Sequence, residues 1–319
     1  MKSIAIIGAG NLGRRHLQSI LMLKEIEVFV IDQGEDSLAK AKEVENENGH
    51  NIIYATNFDV LPNHLNVVVI ATSVLPRRQI VDSLLNQCTI DHLILEKLVF
   101  PRLRDYQEVG DKLSSLEMKT WVNCPFRMYE IFKNIKAELD SQSPISISVT
   151  GSNWGLGTTA IHVLDLLAYL RDDYEMNLVN ILDPKILESK RKGYYEITGG
   201  IVAMNKYGDR LLLNDLHGEK KSPKFFTIDS INKRWHFQDN LNQGIFSDAE
   251  SGWKEKPFEF RFPYQSELSS SFVNDLLTSG ECELPNFINS IHLHHNYLKF
   301  LIDHFQSVNN EEIEICLVT

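Results

Sequence analysis

Cysteine is scarce in this chain. Four cysteines, Cys88, Cys124, Cys282 and Cys316, are scattered over 319 residues with no C-x-x-C pair. That pattern offers no disulfide framework and points to free thiols in a reducing cytosol. Uncharged apolar runs are short as well, and none approaches the roughly 18 residues a membrane span needs. The amino terminus has no basic segment followed by an apolar stretch and a cleavage site; it runs directly into a strand pattern, so a cytoplasmic protein is expected. Positive charge is also in deficit, 32 basic against 43 acidic residues for a net charge of −11. This excludes a general nucleic-acid or anionic-membrane surface, and a phosphate-bearing ligand must be held by a local device. Internal repeats and low-complexity linkers are missing too. What is present is 43% hydrophobic and 24% charged residues. That composition supports a sizeable core, and the length suits roughly two domains of about 150 residues each.

Over residues 1–122 short apolar runs alternate with amphipathic segments. "SIAIIG", "IEVFVID", "NIIYATN", "NVVVIATS", "DHLILEK" and "KTWVNC" are rich in Ile and Val, as parallel strands buried on both faces should be. Between them Leu12 to Leu23, Glu35 to Val44, Arg78 to Leu85 and Leu103 to Leu113 read as helices. This alternation predicts an α/β protein whose amino-terminal domain is a doubly wound Rossmann sheet. After Cys124-Pro125 the rhythm changes. "SPISISVTGS" alternates Ile and Val with Ser and Thr at period two, the mark of a sheet with one dry and one wet face. "GGIVAMN", "RLLLNDL", "KFFTIDS", "RWHFQ" and "FEFRF" are further strands, and Thr159 to Leu170 and Phe287 to Phe305 are helices. Residues 123–319 are thus expected to form an α+β domain with a large, mostly antiparallel sheet.

"GAGNLG" sets Gly8, Gly10 and Gly13 in the spacing G-x-G-x-x-G, directly after a strand and opening a helix. Gly8 permits the tight turn, Gly10 lets backbone approach a pyrophosphate, and Gly13 allows close helix–strand packing. Amides at the helix start, with Asn11 and Leu12, then face the phosphates at the positive end of the dipole. Asp32 ends the second strand 24 positions after Gly8, near the expected spacing of about 20. Its carboxylate would accept from ribose hydroxyls and repel a 2′-phosphate, and Gln33 offers no positive charge. NAD(H) is therefore expected over NADP(H), which is not excluded.

Ligands of an open parallel sheet bind outside the carboxyl ends of the strands. Glu96 and Lys97 stand at that end of "LILEK", as do Ala71, Thr72 and Ser73 after "NVVVI". A partly desolvated lysine beside a positive nicotinamide ring gives up its proton more readily, so Lys97 can move the proton of an alcohol as hydride leaves carbon. The bland alternative is a lysine that pairs with Glu96 or reaches solvent. In "GSNWGLGTTAIHVLDLLAYL" small residues run into a helix carrying Ile161, Leu164, Leu167 and Ala168 on its apolar face. His162 is expected in the first turn, where the dipole keeps an imidazole neutral, with Asp165 three residues on; a structural histidine is the alternative.

These motifs together resemble the Gfo/Idh/MocA family of sugar and cyclitol oxidoreductases. The resemblance is carried by "GAGNLGRRH" at 8–16, "IAT" at 70–72, "EKL" at 96–98 where the family has Glu-Lys-Pro, and "HVLDLLAYL" at 162–170. The wording "ILEKLVF" followed by "WVNCPFRMY" further resembles a subgroup of bacterial surface-polysaccharide gene clusters. The resemblance implies a catalytic set of Lys97, position 158 and His162, a sugar-like substrate, and a homodimer or homotetramer through the carboxyl-terminal sheet. Position 158, an Asp in the family, is Thr158 here. A threonine can hydrogen-bond a substrate hydroxyl but cannot serve as a carboxylate base. Lys97 must then carry proton transfer nearly alone, or Tyr129 must help. The same departure leaves open a protein that binds NAD without turnover.

Other candidates are weaker. Arg127 in "NCPFRMY" could clamp a substrate carboxylate or phosphate, or form a structural ion pair. Trp154 could stack on a sugar ring, or simply pack. Arg77 and Arg78 could contact cofactor phosphate or cap the next helix. His292, His294, His295 and His304 invite a metal reading, yet only His292 and His295 would share a helix face and no H-E-x-x-H pattern occurs, so no metal is expected.

Overall fold

The computed structural model describes residues 1–318. The chain divides into two compact units. The first comprises residues 1–100, 104–124 and 263–288; the second comprises 101–103, 125–262 and 289–318.

In the first unit β1 (Lys2–Ile7), α1 (Asn11–Ile20), β2 (Ile26–Ile31), α2 (Glu35–Lys42), β3 (Ile52–Ala55), β4 (His64–Ile70), α3 (Val74–Gln87), β5 (Thr89–Leu95), α4 (Leu103–Ser115) and β6 (Lys119–Val122) alternate as the sequence predicts. All pairings are parallel and the strand order is β3-β2-β1-β4-β5-β6. Ile4 to Ile7, Val67 to Ile70 and Leu93 to Leu95 are buried on both faces, which is why these strands read as continuous apolar runs. Helix α3 starts four residues earlier than expected, because Pro76 sits in its first turn, where a missing N–H costs nothing.

In the second unit a 3₁₀ turn (Pro125–Met128) leads into α5 (Glu130–Glu138), β7 (Ser146–Ser152) and α6 (Leu156–Arg171). There follow β8 (Asn177–Leu182), β9 (Leu187–Glu188), β10 (Tyr195–Glu196), β11 (Gly199–Met204), β12 (Arg210–Leu216), β13 (Ser222–Asp229), β14 (Lys233–Gln238), β15 (Gln243–Asp248) and β16 (Lys256–Glu259). Eight of these strands form one sheet in the order β16-β15-β14-β13-β7-β12-β11-β8, antiparallel except for β7 with β12; β9 and β10 pair separately. The alternation in β7 is realised as drawn. Ile147 and Val149 are buried with Leu211, Leu213, Phe226 and Ile228, and Ser148 and Thr150 point the other way. An aromatic cluster of Phe126, Tyr129, Phe132, Phe226, Phe237 and Phe262 fills the dry side.

The chain then returns to the first unit with α7 (Gln265–Ser279), and α8 (Phe287–Asn309) completes the second. Helix α7 packs on α1, with Ser270 N–H donating to Ser19 Oγ at 2.8 Å. Sequence reading did not anticipate it, because "SELSSSF" dilutes the apolar periodicity with serines that bond to α1. No helix among the described residues is long and apolar enough to cross a membrane.

Candidate active site

The glycine turn is built as its spacing predicts. Gly8 adopts φ +100°, and a Cβ there would lie 2.9 Å from the backbone of Ala71 and Thr72. A Cβ on Gly13 would lie 1.8 Å from the Gly8 carbonyl oxygen, so this position admits only glycine. Gly10 differs: an added Cβ meets nothing within 4 Å. Helix α1 has no side-chain cap and no acidic residue in its first turn, so the amides opened by Asn11 and Leu12 present an uncompensated positive end. Asp32 folds back on the turn, accepting from the Ala9 amide at 2.6 Å and the Gly34 amide at 2.8 Å. Beside it, Thr72 keeps a buried hydroxyl without a hydrogen-bond partner among the described residues. An open glycine, an uncapped helix start and a carboxylate beside them fit a dinucleotide with its pyrophosphate on α1 and its ribose at Asp32. Gly10→Ala is accordingly expected to weaken NAD(H) binding about tenfold or more with an unchanged melting temperature. Gly13→Ala should instead cost about 1–3 kcal/mol of stability through overlap. Cofactor titration and thermal unfolding of the two variants separate these effects.

The Glu96-Lys97 pair stands at the carboxyl end of β5, with the Glu96 amide continuing the ladder to the Ile70 carbonyl at 3.2 Å. Glu96 is 3% exposed, and its carboxylate turns inward. Oε1 accepts from Asn123 Nδ2 at 2.6 Å and meets His16 Nε2 at 2.9 Å, while His16 Nδ1 lies 2.8 Å from Ser269 of α7. Burial alone would push this carboxyl up; hydrogen bonds from His16 and Asn123 and the charge of Arg77 outweigh it and hold its pKa below the ordinary value. The other side of the turn belongs to Arg77, 1% exposed. Its guanidinium donates to the carbonyls of Thr72 and Glu96 at 2.5 Å, Val99 at 2.9 Å, and Leu98. Neither arginine serves a phosphate. Arg77 is spent on backbone carbonyls, and Arg78 is paired with Asp82 and Glu108. Lys97 itself is half-buried.

In the second unit α6 begins at Leu156, three residues before the predicted start. Thr158 therefore lies in the first turn and His162 in the second, so a dipole at the helix start is not what governs His162. Its ring stacks on Phe126 at 5.4 Å. Three substrate-contact expectations give way to packing. Arg127 is 7% exposed, and its fork is taken by Asp165, Nε to Oδ2 at 3.0 Å and Nη2 to Oδ1 at 2.5 Å, which realises the ion-pair alternative. Burial pushes the Asp165 carboxyl up against the pull of Arg127, whose own guanidinium is held above its ordinary value by that carboxylate. Trp154 is 5% exposed and its indole N–H donates to the Asn214 carbonyl at 2.8 Å, so no ring face is offered to a sugar. Tyr129 lies in the aromatic cluster, where burial pushes its hydroxyl up to about 12, out of reach as a neutral-pH base.

The helix start itself is held by two carboxylates that sequence reading missed. Asp215, fully buried on β12, accepts from the amides of Trp154, Gly155 and Leu156 at 3.0–3.2 Å. Glu196, on β10, accepts from the amides of Gly157 and Ile197 and lies 3.4 Å from the Thr158 hydroxyl. Both come from strands more than 35 residues downstream in sequence, so no local motif could have signalled them. Among the described residues no group of three or more His, Cys, Asp or Glu side chains could hold a metal.

Residues 2–124 match the profile of a family described as "Oxidoreductase family, NAD-binding Rossmann fold", the Gfo/Idh/MocA family. Among curated proteins no sequence match is found. Solved structures share the fold over nearly the whole chain. An oxidoreductase from Agrobacterium radiobacter in complex with NAD+, L-tartaric acid and magnesium has a TM-score of 0.72 at 15% identity, covering 98% of each chain. The UDP-N-acetylglucosamine 3-dehydrogenase GnnA from Acidithiobacillus ferrooxidans gives 0.69 at 11% identity, over 93% of this chain and 96% of that one. A 3-ketoreductase from Actinomadura kijaniata in complex with NADP gives 0.69 at 14% identity, with the same coverage. At such identities the likeness concerns the fold, and the family resemblance rests on the profile match over residues 2–124. Residues 2–124 are thus similar to the NAD-binding Rossmann domain of the Gfo/Idh/MocA oxidoreductases, and the solved structures extend the likeness of fold over the rest of the chain.

Proposed function

We propose that the protein is an NAD(H)-dependent oxidoreductase that transfers hydride to or from a hydroxyl- or ketone-bearing carbon of a sugar or sugar derivative, nucleotide-linked sugars of surface-polysaccharide biosynthesis included. The observation that carries this reading is the Lys97 turn. It is clamped by Arg77 on one side and by His16 and Asn123, through Glu96, on the other, at the carboxyl edge of a sheet whose first helix start is open to phosphate. The sugar assignment draws on the sequence resemblance and on fold neighbours named as a UDP-N-acetylglucosamine 3-dehydrogenase and a 3-ketoreductase.

Bound on α1, the nicotinamide cofactor supplies or accepts the hydride. Gly8, Gly10, Asn11, Leu12 and Gly13 hold its phosphates, Asp32 its ribose, and Ala71, Thr72 and Ser73 line its path. Glu96 serves by keeping the turn in place, and Lys97 moves the proton at the substrate oxygen. Thr158 and His162, on α6, orient substrate hydroxyls. The wet face of the second unit's sheet carries the subunit contact. Val179, Ile181, Phe225 and Ile245 are aligned there on one face by the strand register and remain 41–51% exposed. Sedimentation of the protein tests that assignment, which a monomer at all concentrations would contradict.

NADH absorbance over a panel of sugars and nucleotide sugars tests the activity. Lys97→Met is expected to lower kcat by about 10²–10⁴-fold, with NADH affinity within about twofold of the parent. Turnover that survives the substitution would remove Lys97 from its role. Absence of turnover on every compound, with intact cofactor binding, would favour a second reading, an NAD-binding sensor. The feature that favours that reading is Thr158 in place of a carboxylate. Tighter binding of NADP(H) than NAD(H) would contradict the role given to Asp32.

A further inference from the structure

Five side chains of the first unit close a ring of hydrogen bonds. Glu96 Oε1 accepts from Asn123 Nδ2 at 2.6 Å and faces His16 Nε2 at 2.9 Å. Asn123 Nδ2 also donates to Gln265 Oε1 at 3.0 Å. Gln265 Nε2 donates in turn to Ser269 Oγ at 3.0 Å, and Ser269 Oγ lies 2.8 Å from His16 Nδ1. The members come from the end of β5, the end of β6, α7 and α1. His16, Ser269, Asn123 and Glu96 are at most 3% exposed, and of the five Gln265 alone is partly exposed.

Charge fixes the direction of the ring. An ionised carboxylate only accepts, so both groups that meet Glu96 Oε1 must donate, His16 through a proton on Nε2. Reversing the Asn123 amide would set its oxygen against that carboxylate. As it stands, Asn123 gives one N–H to Glu96 and the other to Gln265. Gln265 is thereby turned with its oxygen toward Asn123 and its N–H toward Ser269. Ser269 accepts from Gln265 and has one proton to give. Its acceptors are His16 Nδ1 at 2.8 Å and the Gln265 carbonyl at 3.2 Å, one turn back on its own helix, and the nearer takes it. A proton received at Nδ1 and another given from Nε2 describe a neutral imidazole in the Nε2–H form. Each link satisfies the next, and the charge of Glu96 is the one charge the ring holds.

We infer that Gln265 and Ser269 are positioning residues of the active site, acting on Glu96 through Asn123 and His16. Helix α7 sets the protonation of His16, His16 holds Glu96, and Glu96 holds the turn that carries Lys97. This rests on the oxidoreductase reading and deepens it. Residues 263–288, which return to the first unit, belong to the machinery of the reaction as well as to the packing of α1.

Nitrogen-15 spectra of the histidine rings, taken on the intact chain at neutral pH, read the tautomer without any substrate; His16→Gln assigns the signal. Parent His16 is expected to be neutral and protonated at Nε2. Gln265→Glu replaces the N–H that points at Ser269 by an acceptor. The Ser269 proton should turn to that carboxylate and His16 should take a second proton at Nδ1, so that its two nitrogen shifts converge on those of an imidazolium. Ser269→Ala opens the ring and should lower kcat about tenfold or more, with NADH affinity within about twofold of the parent. Ser270→Ala is the control, since its hydroxyl meets Ser19 on the same helix seam but outside the ring; tautomer and kcat should stay as in the parent. A parent His16 that is an imidazolium or carries its proton on Nδ1, or one that Gln265→Glu leaves neutral, overturns the inference. An unchanged kcat in Ser269→Ala also overturns it, leaving the ring a matter of folding alone. With turnover intact, these failures strike the ring and spare the oxidoreductase reading. A parent that turns over no compound of the panel removes that reading and this role together, whatever the tautomer of His16.

Discussion

Replacing Arg77 by Met is expected to lower the unfolding free energy by about 3–5 kcal/mol, the scale for stripping one side from a buried charged network. Four backbone carbonyls, those of Thr72, Glu96, Leu98 and Val99, receive its N–H groups, and a buried carbonyl deprived of its donor keeps its full desolvation cost. Arg77→Lys should recover only part of this, because an ammonium has three donors on a flexible stem and cannot reproduce a planar fork spanning several acceptors. The neighbouring Arg78 is the internal control. Its side chain is 26% exposed, its closest partners Asp82 and Glu108 are partly solvated, and the buried Asp105 lies farther off at 3.6 Å, so Arg78→Met should cost about 1–2 kcal/mol, less than Arg77→Met. Urea midpoints of the three variants, read without cofactor, decide the matter. Equal costs for Arg77→Met and Arg78→Met would show that the carbonyl cluster is satisfied without Arg77. The turn so fixed is the one that carries Lys97, so Arg77→Lys should also lose turnover beyond its loss of stability.

Arg77 also marks where sequence reading stops. The parallel strands, their order of appearance and the glycine turn were legible because each is a local pattern: a run of Ile and Val, or a glycine spacing between a strand and a helix. Lys97 could be put at a strand end for the same reason. Which charged groups would be spent inside the protein could not be read. Arg77 and Arg78 are identical in sequence context, yet a helix that begins at Val74 turns one inward and leaves the other in ion pairs at the surface. Asp215 and Glu196 come to α6 from strands far along the chain, and His16 meets Glu96 across 80 residues. Long-range pairing of polar groups has no periodicity to betray it. The return of α7 to the first unit escaped for a related reason, since its serines bond to α1 where an apolar stripe would have been recognised.

The Arg127–Asp165 pair yields the second large effect. Asp165 is the acidic residue of the His-x-x-Asp pattern, and it is fully buried under a bidentate guanidinium. Asp165→Ala leaves that guanidinium in a site 7% exposed, with the Tyr169 ring 5.3 Å away and the Tyr174 hydroxyl at 3.4 Å as its remaining neighbours of note. An uncompensated buried charge should cost about 3–5 kcal/mol. The pair as a whole is worth much less than either half, since both ions left water to form it. Arg127→Met combined with Asp165→Leu should therefore recover most of the loss and approach the parent within about 1–2 kcal/mol. Denaturant unfolding of the parent, Asp165→Ala, Arg127→Met and the double variant closes the cycle. A cost below about 1 kcal/mol for Asp165→Ala would mean that water reaches Arg127 and that its fork is open to ligand, restoring the substrate clamp that the ion pair displaces. Retained turnover in the double variant would separate the pattern's Asp, a packing residue in this chain, from Thr158 and His162 on the same helix, for which we propose the orienting of substrate hydroxyls.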